Sequence, residues 1–195
     1  MSIDETFARF PRIETPRLIL RQIELSDAEA VFATFSDPEV MEFYGELPHQ
    51  TVEESRDLIR RQHEWYGRRE GIRWGITRKG NDTVIGSCGF FLFDETFLRG
   101  TTGYELGRAY WRQGIITEAM SATLTYAFTT MALHRVEAVV DDVNERSKGV
   151  LRKLGFTHEG TLRQRFYFRE RFLDEHYFGI LRDEWQPPEW PINVR

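Results

Sequence analysis

The sequence predicts an α/β fold of the α+β kind: one domain with a mixed, mostly antiparallel, twisted sheet flanked by helices, in the order β-α-α-β-β-β-α-β-α-β-β. Three observations predict it. Residues 102–108 read as a strand and 118–131 as a helix, and a tight turn containing Tyr110-Trp111-Arg112-Gln113-Gly114-Ile115-Ile116-Thr117 joins them. Gly80-Asn81-Asp82 divides two apolar runs, 72–77 and 84–93, as a hairpin turn does. Gly155 stops a short helix at 147–154, and strand-like runs follow at 156–162 and 173–181. Antiparallel hairpins therefore flank a central β-α-β unit.

The elements follow in order. The first dozen residues are polar with scattered aromatics, and 1–14 is expected to be a loosely held tail. Thr15-Pro16-Arg17-Leu18-Ile19-Leu20-Arg21 starts the first strand. Ser26-Asp27-Ala28-Glu29 is a capping box for a short helix through Phe35. Asp37-Pro38 and Gly45 punctuate the chain. Thr51-Val52-Glu53-Glu54 is a second capping box, and Ser55, Leu58, Ile59, Gln62, Trp65 and Tyr66 share one face of the helix after it. Residues 94–100 read as a loop. In 118–131, Met120, Leu124, Ala127, Phe128 and Met131 recur at helical spacing, with Thr117 as the expected cap. Arg135–Asp141 is β-branched enough for a strand. A basic and aromatic connection links the last two strands. Three prolines in 186–195 predict a second loose tail. No repeat or linker divides residues 1–195, which are read as one domain.

Composition narrows the function classes. With 195 residues, 41% hydrophobic and 29% charged, the chain can bury a core. A net charge of −5 weighs against a nucleic-acid surface. The single cysteine, Cys88, excludes an internal disulfide framework and a multi-cysteine zinc site. The five histidines show no metal spacing, so no metal is expected. No apolar run reaches 18 residues, so no membrane span is expected. A reducing, cytoplasmic setting follows as the default, and the chain is read as a monomer or homodimer.

The central turn carries the first chemical signal. Backbone N–H groups from Arg112 to Thr117 lie at a helix start, at the positive end of its dipole. A diphosphate fits such a nest, and Gly114 allows close approach. By spacing alone an ordinary loop with one glycine is the better reading, because a single glycine is weak support for a motif.

The residues Gly103-Tyr104-Glu105-Leu106, Tyr110-Trp111, Gln113-Gly114-Ile115 and Thr117-Glu118-Ala119 resemble the acetyl-CoA-binding segment of the GNAT acetyltransferases. The likeness is strongest to the Rim-type ribosomal-protein N-terminal acetyltransferases. Two further stretches resemble the same branch: Thr15 to Arg21, and Asn144-Glu145-Arg146-Ser147 with Leu151-Arg152-Lys153-Leu154-Gly155-Phe156 and Glu159-Gly160. Ile116 departs from the superfamily pattern, which has Gly or Ala there. The resemblance implies that Arg112, Gln113, Gly114, Ile115, Ile116 and Thr117 hold the CoA pyrophosphate. It implies that free backbone groups of Leu106, Gly107 and Arg108 pair with pantetheine. It also makes Ser147 a general acid near the CoA sulfur, and Glu42 and Tyr44 part of the acceptor-facing wall.

Acetyl transfer to an amine needs a route for the amine proton, an oxyanion donor and a stabilised thiolate. Ser147 is the candidate donor to the thiolate, against a plain N-cap. Asn144 is a candidate for the pantetheine amides, against an Asx-turn residue. Glu105 is the candidate base, against a salt-bridged strand residue. The reading is an acetyl-CoA-dependent N-acetyltransferase acting on a protein N-terminus. A small-amine acetyltransferase and a non-catalytic CoA-binding domain are the alternatives.

Overall fold

The structure is a computed structural model that describes residues 3–94, 96 and 98–195. In chain order its elements are α1 (Ile3–Ala8), β1 (Ile13–Glu14), β2 (Leu18–Arg21), α2 (Ala28–Phe35), α3 (Val52–Gly67), β3 (Gly71–Arg78), β4 (Asn81–Asp94), β5 (Arg99–Leu106), α4 (Ile115–Thr129), β6 (Arg135–Asp141), α5 (Glu145–Lys153), β7 (Thr157–Phe168), β8 (Arg171–Leu181) and β9 (Asn193–Val194). From β2 to β8 this is the predicted order. The nine strands form one sheet in the order β7-β8-β6-β5-β4-β3-β2-β1-β9. Every neighbouring pair is antiparallel except β5 and β6.

Side-chain alternation along β4 splits the core between two faces. Ile85 joins the cluster under α4, where Ala119, Met120, Leu124 and Ala127 are fully buried with Trp74 and Phe90. Its neighbour Val84 joins Phe35, Met41, Leu58 and Ile59, the cluster under α2 and α3. Trp74 anchors the first cluster. Its ring meets Phe90 and Tyr126 edge-on, at 6.2 and 5.8 Å, and its indole N–H donates to the Pro11 carbonyl at 2.7 Å.

Several expectations are corrected here. Among the described residues, both tail segments pack against the domain. Phe7 and Phe10 pack at a tilt against Tyr66, with ring centroids 5.2 and 5.0 Å away, and Trp190 and Ile192 pack against the core. β9 pairs with β1, and Arg12 and Arg195 exchange backbone hydrogen bonds of 3.0 and 2.9 Å. Buried aromatic area outweighs the polar composition of these segments. The basic connection after residue 162 is itself mostly strand, because β7 and β8 continue as a long hairpin. The loop read at 94–100 is shorter, since β5 begins at Arg99; Glu95 and Phe97 lie outside the described residues.

Two features position the site. The parallel β5–β6 ladder has only three register pairs, Arg99↔Arg135, Gly100↔Val136 and Thr101↔Glu137. Beyond them β5 stays paired with β4 as far as Leu106, and β6 stays paired with β8 as far as Asp141. The two strands part and leave a wedge. Glu118, in the first turn of α4, then ties the helix start to the β1–β2 turn. Its carboxylate accepts from Thr15 Oγ1 at 2.6 Å, from the Arg17 amide at 3.0 Å and from Arg17 Nε.

Removing that carboxylate leaves the Arg17 amide without its acceptor and the buried Thr15 hydroxyl with only a long bond to the Leu18 carbonyl, at 3.4 Å. Glu118→Ala should therefore lose about 2 kcal/mol of unfolding free energy in a urea titration. A loss below about 0.5 kcal/mol would mean that these bonds do not hold the helix start.

Candidate active site

The wedge opens into a cavity of about 510 Å3. Its walls come from the end of β5, the β5–α4 turn, the first turns of α5, and the segment between α2 and α3.

The turn forms a cradle of backbone donors. Gly114 has φ 72° and is the N-cap of α4, and Arg112 has φ 60°. The first helical bond runs from the Glu118 amide to the Gly114 carbonyl at 3.0 Å, so the amides of Ile115, Ile116 and Thr117 precede any intrahelical partner. Thr117 is thus the third helical residue and not the cap; glycine takes the left-handed turn that a threonine resists. A Cβ on Gly114 would meet only Arg17 Nη2, at 3.6 Å, so the space over the turn is open. Arg112, Ile115, Ile116 and Thr117 all line the cavity, with Arg146 and Lys153 facing them from α5. Arg146 lies over the Trp111 ring at 4.6 Å. Gln113 points away: its amide donates to the Ala109 carbonyl at 3.0 Å and accepts from Arg78.

The β5 edge differs from expectation. The Gly107 amide already donates to the Ile85 carbonyl at 2.8 Å, toward β4. Strand alternation then turns the amides of Leu106 and Tyr104 toward the wedge. The Leu106 carbonyl accepts from the Trp111 indole at 2.7 Å. Arg108 leaves the cavity to pair with Asp37 at 3.0 Å and with Glu39. Leu106 stays at the site; Gly107 and Arg108 do not line it.

On α5 the expected roles exchange. Asn144 is the N-cap, and its Oδ1 accepts from the Ser147 amide at 3.0 Å. Ser147 is the third helical residue, so its hydroxyl is free of capping duty. Its Oγ lies 2.8 Å from the Tyr104 phenol, and both line the cavity. Burial pushes the Tyr104 phenol up to about 12, with the Ser147 bond pulling the other way.

At the far end Glu105 lines the cavity with both carboxylate oxygens engaged. Ser87 Oγ donates to one and Arg73 to the other. Burial opposes the charge of Arg73, but the Glu105 carboxylate more than offsets it and raises the guanidinium pKa. Arg73 Nε also donates to Ser87 Oγ at 2.7 Å. Tyr44 lines the same end, edge-on to Phe35 at 5.1 Å, and desolvation raises its phenol pKa. Glu42 is exposed and outside the cavity.

Residues 17–157 match the family model described as an acetyltransferase (GNAT) domain. The chain belongs to the GNAT acetyltransferases. It is 39% identical over 173 residues to an uncharacterized N-acetyltransferase, YoaA, of Bacillus subtilis (strain 168), covering 89% of this chain and 98% of that one. Two more distant relatives have acceptors in their names. The putative ribosomal N-acetyltransferase YdaF of Bacillus subtilis (strain 168) is 28% identical, covering 74% of this chain and 78% of its own length. The spermidine N(1)-acetyltransferase of Escherichia coli (strain K12) is 25% identical, covering 80% and 89%. Among solved structures, a GNAT-family acetyltransferase from Bacillus anthracis superposes with a TM-score of 0.80 at 28% identity, covering 89% of this chain and 99% of that one.

A GNAT domain uses acetyl-CoA, and the wedge accounts for the cavity's shape. In the sequence Tyr104 has a place in the Gly103-Tyr104-Glu105-Leu106 motif but no role, and Arg73 has neither. Arg73 had a signal: a lone arginine inside the apolar run Ile72-Arg73-Trp74-Gly75-Ile76 needs a buried counter-charge. The pairing of Tyr104 had none, because its partner Ser147 is 43 residues away. No group of three metal-ligating side chains occurs among the described residues.

The Arg73–Glu105 pair gives a stability test. Arg73→Ala strands a buried carboxylate and should cost about 3 kcal/mol. Arg73→Met with Glu105→Leu removes both charges and should be at least ~1 kcal/mol more stable than the single variant by urea titration. Equal instability would mean the two side chains are not coupled.

Proposed function

We propose that this GNAT enzyme acetylates the α-amine of a protein N-terminus, as the Rim-type branch does. One observation carries the reading. The two carboxylates that line the acceptor end are each matched by an arginine, Glu105 by Arg73 and Glu39 by Arg108. A wall balanced in this way offers little pull to a polycation. It also holds no unpaired carboxylate to strip a proton from a strongly basic amine. An α-amine, with a pKa near ~7.8, is neutral in roughly a tenth of molecules at pH 7; an alkyl amine near ~10.4 is neutral in fewer than about one in a thousand. The relative named as a putative ribosomal N-acetyltransferase supports the same reading. The relative named as a spermidine N(1)-acetyltransferase favours a second one, a small polyamine acceptor.

The residues present fit acetyl-CoA. The left-handed Gly114, the open space above it and the three free amides after it suit a diphosphate, and Arg112, Arg146 and Lys153 add charge. The Leu106 and Tyr104 amides at the parted edge suit the pantetheine chain and the thioester oxygen. The donor brings the acetyl group. Ser147 would give a proton to the sulfur as the carbon–sulfur bond breaks, the Tyr104 phenol would re-supply Ser147, and water would return to Tyr104 the proton released by the amine. Glu105 keeps lone pairs that orient the attacking amine, while the amine proton leaves to water.

Three measurements test this. At pH 7, kcat/KM should favour N-terminal peptides over spermidine by on the order of 100-fold; the opposite order selects the polyamine. Gly114→Val should weaken CoA binding at least tenfold, about 1.4 kcal/mol by calorimetry, since its strained φ collapses the cradle. Unchanged affinity in a folded variant removes the turn from the site. Ser147→Ala should slow turnover by about 10- to 100-fold with the affinity for acetyl-CoA nearly unaltered, and the deficit should shrink with a thioester of lower thiol pKa. An equal deficit for both thioesters would reduce Ser147 to positioning.

A further inference from the structure

The β7–β8 hairpin carries a surface that the acetyl-transfer site does not use. Residues 163–172 hold four arginines and one glutamate, in a chain whose net charge is −5. Arg163, Arg169 and Arg171 form no ion pair among the described residues; Arg165 is held by Glu175 at 3.4 Å. Tyr167 and Phe172 stand directly opposite one another, with ring centroids 4.9 Å apart, and remain 58% and 62% exposed. Phe166 alternates to the other face of the hairpin. A methyl built on Gly45 would stand 3.4 Å from its ring, so the hairpin meets the segment that carries Tyr44 at the acceptor end. β7 is also the edge strand of the sheet, with one row of backbone donors and acceptors unpaired.

We infer that this hairpin is a docking surface for an acidic, extended stretch of the acceptor protein, the residues that follow the N-terminus being acetylated. The inference rests on the reading of the acceptor as a protein N-terminus. Three features act together. The unpaired arginines attract carboxylates. The Tyr167–Phe172 pair covers apolar parts of the segment. The β7 edge pairs with extended backbone, as sheets do when they recruit a peptide strand. The edge favours a peptide over a nucleic acid, whose backbone cannot extend the ladder. Charge favours it too. A short segment with a few carboxylates feels the arginines within a Debye length of about 8 Å, while a long polyanion also feels the negative remainder of the protein.

The test uses the full chain and the triple variant Arg163→Glu, Arg169→Glu and Arg171→Glu, all exposed positions away from the cavity. Fluorescent peptides with three acidic or three neutral residues after the same first residue are titrated by anisotropy, with the amine acetylated so that no turnover is needed. The wild-type protein should bind the acidic peptide at least tenfold more tightly, and charge reversal should erase that preference. No preference, or one that survives reversal, overturns the inference. A homopolymeric RNA bound more tightly than the acidic peptide, and released by reversal, overturns the choice of occupant. Turnover of the free-amine peptides against spermidine is read separately. Peptide preference there without an acidic bias fails the docking surface alone, and spermidine preference fails the acceptor reading.

Discussion

The site depends on a ladder that stops early. β5 and β6 are parallel neighbours, yet they share register only from Arg99 to Thr101 on one strand and from Arg135 to Glu137 on the other. A continuous sheet would bury these edges and leave no place for a ligand. Here each strand keeps its outer partner, so the backbone that the missing rungs leave open faces the wedge. The Tyr104 and Leu106 amides face it from β5, and the turn to α4 closes its end. Ligand bonds can then replace sheet bonds, so the opening exposes polar backbone without stranding it in an apolar core.

Polar networks fix the two flanks of that opening. Glu118 gathers Thr15 and Arg17 and so sets where α4 begins relative to β2. Arg73, Ser87 and Glu105 form a closed set across β3, β4 and β5 beneath the acceptor end. The second set is buried and satisfied, and in the first Glu118 and Thr15 are buried while Arg17 is half-exposed; such networks are specific as well as stabilising. The Ser147–Tyr104 contact is different in kind. It bridges the parted strand to α5, so it spans the wedge and does not brace one side.

Most of the element order was legible because it rests on local signals. The Gly80 turn, the Thr51 cap and the apolar periodicity of α4 all act within a few residues. The turn from β5 into α4 was legible for the same reason. What escaped depends on distant partners. Phe7 and Phe10 look like scattered aromatics until Tyr66 is beside them. Asn144 looks free until Ser147 is seen as its capped amide, and Glu105 looks like an open base until Arg73 and Ser87 occupy it. The strand phase of Gly107 is set by Ile85, on a neighbouring strand, so no pattern within its own segment could show that its amide is taken.

The Trp111 indole makes the cradle observable by light. Among the residues lining the cavity it is the one tryptophan, held at its nitrogen by the Leu106 carbonyl and covered on its face by Arg146. A guanidinium that slides off the ring toward an arriving anion changes the electric field at the indole. As one of five tryptophans in the chain, this side chain thus reports occupancy as a change in the summed emission, with no label and no turnover.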